Sequence, residues 1–165
     1  DEMFIPEEFE SAKNYVKEGN FDSSYVRFIN YYKKPTCLLV EDEKIGFMGY
    51  ISFIVKSHVP YGIGASPVII DQTRRVKSGR YHIFNIEKIK MHHYSYIRKD
   101  EKSLRRKLNN TSFKQHSKMI QHIDDVVNCY LNYNDGLKVF LPWMSGIKEW
   151  EIKKVEDKLK LGLDF

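Results

Sequence analysis

Two adjacent histidines and an arginine are the residues of this chain whose types and spacing most directly predict chemistry. His92 and His93 lie among aromatic residues in the segment MHHYSYIRKD, and Arg98 follows His93 by five positions. Imidazole is the commonest neutral metal ligand, and guanidinium binds phosphate oxygens through a planar fork of N–H donors. The segment therefore indicates a site for a metal-bound phosphate. A second clue is the acidic pair Asp1 and Glu2 that opens the chain.

The two histidines cannot both face one metal ion, because side chains of neighbouring residues diverge on a helix and on a strand alike. One of them is therefore expected to be packed or hydrogen-bonded elsewhere, and a purely structural role for both is the alternative. A structural zinc site is not indicated, since neither Cys37 nor Cys129 lies at ligand spacing from them. A hard cation bound by carboxylates, water and substrate phosphate fits better, with one imidazole completing its shell.

Length and composition place the chain among folded globular proteins. It has 165 residues, of which 42% are hydrophobic and 30% charged, so a single domain with an ordinary core is expected and disorder is excluded. No apolar run approaches the roughly 20 residues of a membrane-spanning helix. The two cysteines form no CxxC unit, which favours free thiols in a reducing compartment, the cytoplasm.

The charge favours anionic partners. The net charge is +5 and the pI about 9.0, a bias that suits nucleic acid, nucleotide phosphates or acidic lipid headgroups. The densest basic cluster is the segment KDEKSLRRK at residues 99–107, directly after the histidines. A solvated helix face is the alternative interpretation of this cluster. A nucleic-acid-binding accessory module is a rival function, although no known nucleic-acid motif is present.

Hydrophobic patterns and turn signals predict one compact mixed α/β unit over residues 1–165, a mixed sheet with flanking helices. Helices are expected at residues 6–19, 103–110 and 112–130, and a further helix that begins at residues 85–88 is expected to carry the histidines. Strands are expected at residues 25–32, 37–40, 45–55, 68–70, 81–84 and 138–141. Residues 134–136 predict a turn, and residues 151–160 a charged tail.

A further carboxylate, Asp71, ends a short predicted strand in the segment PVIIDQTRRV. The end of a strand is a common place for a functional carboxylate, although a residue that begins an Asx-type turn is the alternative. The nearby YGIG sequence at residues 61–64 lacks the continuation of a nucleotide-binding fingerprint and predicts a loop.

The chain resembles family 2-like glycosyltransferases of GT-A fold. DEMF at residues 1–4 resembles the end of the family's D-x-D-E-[FY] motif, and HYSYIR at residues 93–98 resembles its late H-[YM]-[GS]-[WY]-[VI]-R segment. MHHYSYIRKD, with PVIIDQTRRV about twenty residues ahead, is similar to a bacterial and phage branch of the group. The resemblance covers the whole chain, but only as the family's second half. The nucleotide-binding half is expected upstream of residue 1.

The resemblance implies a metal site made from the first residues of the chain and from the histidine segment. Asp1 matches the second acid of the D-x-D motif and Glu2 the acid after it, which in the family bind Mn²⁺ or Mg²⁺. His93 matches the late histidine that reaches the metal or the diphosphate. Arg98 matches the arginine that neutralises phosphate charge, and His92 is placed with Arg98 at the nucleotide-sugar donor.

The resemblance also implies a reaction, the metal-dependent transfer of a sugar from a nucleotide sugar to an acceptor hydroxyl. The acceptor, which a glycan, a protein or a modified nucleic acid would supply, is not identified. An inverting member needs a carboxylate base, for which Asp71 is the candidate. Because only the second half is present, the isolated chain is expected to transfer no sugar and to need an upstream segment or a partner chain. A catalytically inactive remnant is the third interpretation.

Overall fold

The mixed α/β fold predicted from the sequence is confirmed by the computed structural model, which describes residues 2–40, 50–60, 76, 79–110, 122–136, 138–143 and 146–160. In these residues an eight-stranded mixed sheet is accompanied by three helices. The strands are β1 (Glu2–Met3), β2 (Ser23–Tyr32), β3 (Lys34–Val40), β4 (Tyr50–Val55), β5 (Tyr81–Ile83), β6 (Lys90–Tyr96), β7 (Lys138–Trp143) and β8 (Gly146–Lys154). The helices are α1 (Pro6–Glu18), α2 (Glu101–Asn110) and α3 (Ile123–Leu131).

The strands follow the hydrogen-bonded order β1-β6-β2-β3-β8-β7, while β4 and β5 pair with β2 outside this path. β5 runs parallel to β2, and β4 runs antiparallel to it. The pairs β1–β6, β2–β3, β3–β8 and β7–β8 are also antiparallel. The chain divides into two compact units, one formed by Asp1–Ile29 with Asp42–His93 and the other by Asn30–Glu41 with Tyr94–Phe165.

The first unit is organised by α1, whose ends follow the sequence signals. Pro6 occupies the first turn with acidic neighbours, and Gly19 follows the last residue with its N–H donating to the Tyr15 carbonyl at 2.9 Å. A Cβ at Gly19 would collide with the Phe21 ring, so a larger residue there would require that ring to move. The buried face of α1 joins a core drawn from β2, β4, the segment before β6 and the start of β6: Ala12, Val16, Val26, Ile51, Phe84, Ile89 and Met91.

The second unit has a separate core between its two helices and three of its strands. Side chains from α2 and α3 pack with those from β3, β7 and β8, and with Tyr32 from the end of β2. Its buried members are Tyr32, Cys37, Leu39, Leu104, Leu108, Val126, Val127, Tyr130, Val139, Leu141 and Ile152. Both cysteines are free thiols, as predicted.

The prediction that a helix carries the histidines is wrong, because they lie on strand β6. Asn85 begins a single turn, in which its Oδ1 accepts the Glu87 N–H at 2.9 Å and its carbonyl accepts the Lys88 N–H at 2.9 Å. The aromatic residues that follow favour an extended chain over a continued helix. The turn therefore ends after residue 89 and β6 begins at Lys90.

The charged tail predicted from residue 151 is also corrected, since β8 continues to Lys154. Its charged residues Glu149, Glu151 and Lys153 are exposed, while Ile152 is buried in the core of the second unit. This is the alternation of a strand with one buried face, which the high charge concealed.

Helix α2 begins two residues before the predicted Ser103, because Asp100 caps it: the Ser103 N–H donates to Asp100 Oδ1 at 2.7 Å.

Helices α1 and α2 and strands β2, β3, β5 and β7 confirm the corresponding predicted elements. Of the predicted helix at residues 112–130, only the part from residue 122 is described, and it contains α3. The loop at residues 61–64, the strand at 68–70 and Asp71 lie outside the described residues. Among the described helices, none has the length and apolarity needed to cross a membrane.

Candidate functional site

A carboxylate and an imidazole come together in the first unit through the pairing of β1 with β6. The antiparallel register places Glu2 opposite His93 and Met3 opposite His92. Directly opposite residues of an antiparallel pair have Cβ atoms about 4.5–5.5 Å apart and side chains on the same face. Two sequence-predicted metal residues at opposite ends of the unit's chain are thus neighbours. Asp1, the third of the set, lies outside the described residues.

The surroundings of His93 orient its ring. The side chain is half-buried, and its ring meets the Phe28 ring edge-on, with centroids 5.5 Å apart and an interplanar angle of 77°. Such an edge-to-face contact favours one orientation of the imidazole. Glu2, by contrast, is exposed on a strand of two residues. The pair, which we call the edge pair, therefore joins a ring oriented by an aromatic neighbour to an exposed carboxylate on a short strand.

His92 occupies a different environment from its neighbour. It is 1% exposed, and because side chains alternate along a strand it points to the opposite face of β6 from His93. His93, and not His92, therefore lies on the face of β6 that Glu2 shares. Binding of a nucleotide sugar by His92 stays a prediction, and this burial does not favour it.

The donor atoms of the edge pair are of the types that a hard divalent cation binds. Carboxylate oxygen and imidazole nitrogen are ligands of Mn²⁺, and such ions complete their shells with water and substrate phosphate oxygens. The described residues contain no group of three or more His, Cys, Asp or Glu side chains arranged for a metal. Glu2 and His93 are two candidate ligands that the described residues place together, and Asp1 precedes Glu2 in the sequence.

Arg98 lies in the second unit, just after β6, in a turn that we call the Arg98 turn (residues 94–98). The Ile97 N–H donates to the Tyr94 carbonyl at 3.0 Å, and Arg98 Nε donates to the Ser95 carbonyl at 3.0 Å. Burial lowers the pKa of Arg98, which the neighbouring Tyr130 partly offsets. An arginine nevertheless keeps its charge at physiological pH. The turn therefore presents a partly desolvated cation whose side chain is tied to its own backbone.

A residue that the sequence did not single out holds this turn. The Tyr130 hydroxyl accepts the Arg98 N–H at 2.9 Å and donates to the Arg98 carbonyl at 2.9 Å. Tyr130 is 3% exposed and lies on α3, 32 residues further along the chain. No local sequence pattern predicts a contact between residues 32 positions apart.

The basic cluster after the histidines is partly neutralised by its own neighbours. Arg105 Nε lies 2.6 Å from Glu101 Oε1, and Arg105 Nη1 lies 2.6 Å from Asp124 Oδ1. The hydrogen bonds from Asp124 and then Glu101 raise the pKa of Arg105. At least one arginine of the cluster is thus committed to structure, which weakens the case for a nucleic-acid surface on α2.

Comparison with protein-family models, with curated proteins and with solved structures finds no match to the chain. Resemblance to family 2-like glycosyltransferases consequently rests on the motif residues themselves. Of these, Glu2 and His93 lie side by side in the first unit, and Arg98 is held by Tyr130 in the second. The catalytic role of Asp71 remains a prediction on a residue outside those described.

Proposed function

We propose that this chain is the metal-side and acceptor-side half of a glycosyltransferase. The reaction transfers a sugar from a nucleotide-sugar donor to an acceptor hydroxyl, with a divalent cation, Mn²⁺ or Mg²⁺. The observation that carries the proposal is the register that sets Glu2 opposite His93. The two residues, matched to metal-binding positions by motif alone, are 91 positions apart in the chain and share one face of this strand pair.

The chemistry of the pair supports the assignment. Sugar transfer leaves a nucleoside diphosphate, whose developing negative charge must be stabilised. A divalent cation held by Asp1, Glu2 and His93 would supply most of that stabilisation when bound. For Arg98, in the second unit, we propose phosphate binding in its own right, because its planar fork of donors suits phosphate oxygens, a geometry that lysine cannot reproduce.

The remaining assignments are parts of the same proposal. Asp71 is proposed to accept the proton of the acceptor hydroxyl, on the strength of its place at the end of a predicted strand. The free thiols of Cys37 and Cys129 fit a reducing compartment, and we propose the cytoplasm. An upstream segment or a partner chain is proposed to hold the nucleotide base.

A thermal-shift panel tests the proposal. The chain is heated with UDP, GDP or ADP, each with and without Mn²⁺, and with the matching monophosphates and a single-stranded oligonucleotide as controls. At least one diphosphate is expected to raise the melting temperature only when Mn²⁺ is present, because ligands that bind only the folded state stabilise it. Stabilisation by the oligonucleotide alone, or by no diphosphate, contradicts the proposal.

A further inference from the structure

We propose that Tyr130 is the positioning residue for Arg98, a role that rests on the proposed function of Arg98 in diphosphate binding. The hydroxyl of Tyr130 bonds both backbone groups of a single residue, accepting the Arg98 N–H and donating to the Arg98 carbonyl, each at 2.9 Å. One side chain thereby fixes the peptide groups on both sides of the Arg98 Cα. The direction in which the arginine side chain leaves the backbone is set by this pair of bonds.

Tyr130 is itself held rigidly within the second unit. Its ring meets the Tyr32 ring edge-on, with centroids 5.4 Å apart and an interplanar angle of 70°. Lys33 Nζ donates to the Tyr130 carbonyl at 2.9 Å and so fixes the end of α3. Since Tyr130 is 3% exposed, neither its ring nor its hydroxyl has room to move.

The guanidinium is constrained from the other side by Ser95. Arg98 Nε donates to the Ser95 carbonyl at 3.0 Å. The arginine is therefore held at its backbone by Tyr130 and at its Nε by Ser95. Holding a binding group in its productive geometry reduces the ordering cost of ligand binding, and small displacements of such a group weaken its effect. A hydroxyl that never touches the diphosphate can therefore control its affinity.

Tyr133 provides a matched control, because it differs from Tyr130 in what its hydroxyl contacts. Its ring also packs edge-on against Tyr32, with centroids 5.3 Å apart. Its hydroxyl, however, donates to the Gly136 carbonyl at 2.9 Å, in the turn that precedes β7. Tyr130→Phe and Tyr133→Phe thus each remove one oxygen from the same aromatic cluster, but only the first affects the Arg98 backbone.

The test measures the affinity of the chain for inorganic pyrophosphate in the presence of Mn²⁺, together with the melting temperature. Tyr130→Phe is expected to weaken pyrophosphate binding about five- to tenfold, the scale of one lost hydrogen bond, while Tyr133→Phe leaves it unchanged. In an Arg98→Ala background the Tyr130→Phe change should have no further effect on affinity, although it still lowers the melting temperature. Such non-additivity marks a residue that acts through its neighbour, which a general loss of stability does not produce.

Three other outcomes would contradict the role of Tyr130, and each identifies which part of the proposal fails. If Arg98→Ala weakens binding and Tyr130→Phe does not, the positioning role is wrong and the diphosphate site stands. If Tyr133→Phe weakens binding as much as Tyr130→Phe, or if Tyr130→Phe acts equally in both backgrounds, the effect is general and the role is likewise wrong. If Arg98→Ala binds pyrophosphate as tightly as the unaltered chain, the proposed role of Arg98 fails, and the role of Tyr130 fails with it.

Discussion

The two regions that carry the candidate chemistry are built in opposite ways. The edge pair depends on strand register, with exposed Glu2 on a two-residue strand opposite half-buried His93. The Arg98 turn depends on a buried core, in which Tyr130 and its neighbours fix the backbone of the arginine. The buried packing around Arg98 is more extensive than that around the exposed Glu2 strand. The difference predicts that substitutions around Arg98 alter stability strongly and those around the edge pair much less.

The largest effect is expected from the core of the second unit. Leu104 on α2 is fully buried, so Leu104→Ala should lower the free energy of unfolding by about 2–5 kcal/mol through lost packing and a residual cavity. Leu131→Ala is the matched control, since Leu131 is 47% exposed at the end of α3. Urea denaturation followed by tryptophan fluorescence measures both. Equal losses would mean that the core does not organise this region.

A smaller effect is expected on ligand affinity at the Arg98 turn. Arg98→Lys keeps the charge but loses the planar fork, and should weaken nucleoside-diphosphate binding by about 1–3 kcal/mol, the scale of a charged hydrogen bond. The dependence on Mn²⁺ should survive this change. Isothermal titration with the diphosphate that stabilises the chain most measures the affinity, and Arg106→Lys on the exposed face of α2 is the control. An unchanged affinity would contradict a role of Arg98 in phosphate binding.

The support of α3 by Lys33 is the next test of the comparison. Lys33 adopts a left-handed backbone conformation with φ of 60°, and its Nζ donates to the Tyr130 and Tyr133 carbonyls at 2.9 and 3.3 Å. A cation at the end of a helix is favourable, and this one also lies over the Tyr130 ring. Lys33→Met should therefore cost about 1–2 kcal/mol of stability.

Lys13→Met is the control for Lys33, because Lys13 makes an exposed ion pair with Glu10 on α1. Such pairs contribute little, so a change of no more than about 0.5 kcal/mol is expected. Chemical denaturation of the two variants under one set of conditions compares them. Similar losses for both would show that the carbonyl contacts of Lys33 add nothing beyond an ordinary surface charge.

The smallest effect concerns pH and belongs to the first unit. Burial lowers the pKa of His82 below its usual 6.5, and its ring packs against Tyr15 and Phe84 with centroids 4.7 and 4.6 Å away. Below pH 6.5 the unfolded chain takes up a proton that the folded chain disfavours, so stability should fall as the pH is lowered from neutral to about 5. His82→Phe should reduce this slope. The free energy of unfolding of both chains, measured between pH 7 and about pH 5, tests this, and an unchanged slope in His82→Phe would contradict the role of His82.

Local signals in the sequence predicted the elements better than the contacts that bring the site together. Pro6 and Gly19 were sufficient to define α1, and the aromatic run of β2 was sufficient to define a strand. The histidine strand was predicted as a helix because Asn85 begins one helical turn that tertiary pairing then ends. The contact between Tyr130 and Arg98 could not be predicted, since it joins residues 32 positions apart in the chain.

The pairing of Glu2 with His93 is the central claim, and paramagnetic broadening of the histidine ring signals by Mn²⁺ tests it most directly. In the NMR spectrum of the chain with a nucleoside diphosphate, the His93 signals should disappear at the lowest Mn²⁺ concentration, before those of His58 and His122. Glu2→Gln should raise the Mn²⁺ concentration required, because it removes a charged ligand while leaving the register intact. Simultaneous broadening of all three histidines, or loss of the His58 or His122 signals first, would contradict a metal site at the edge pair.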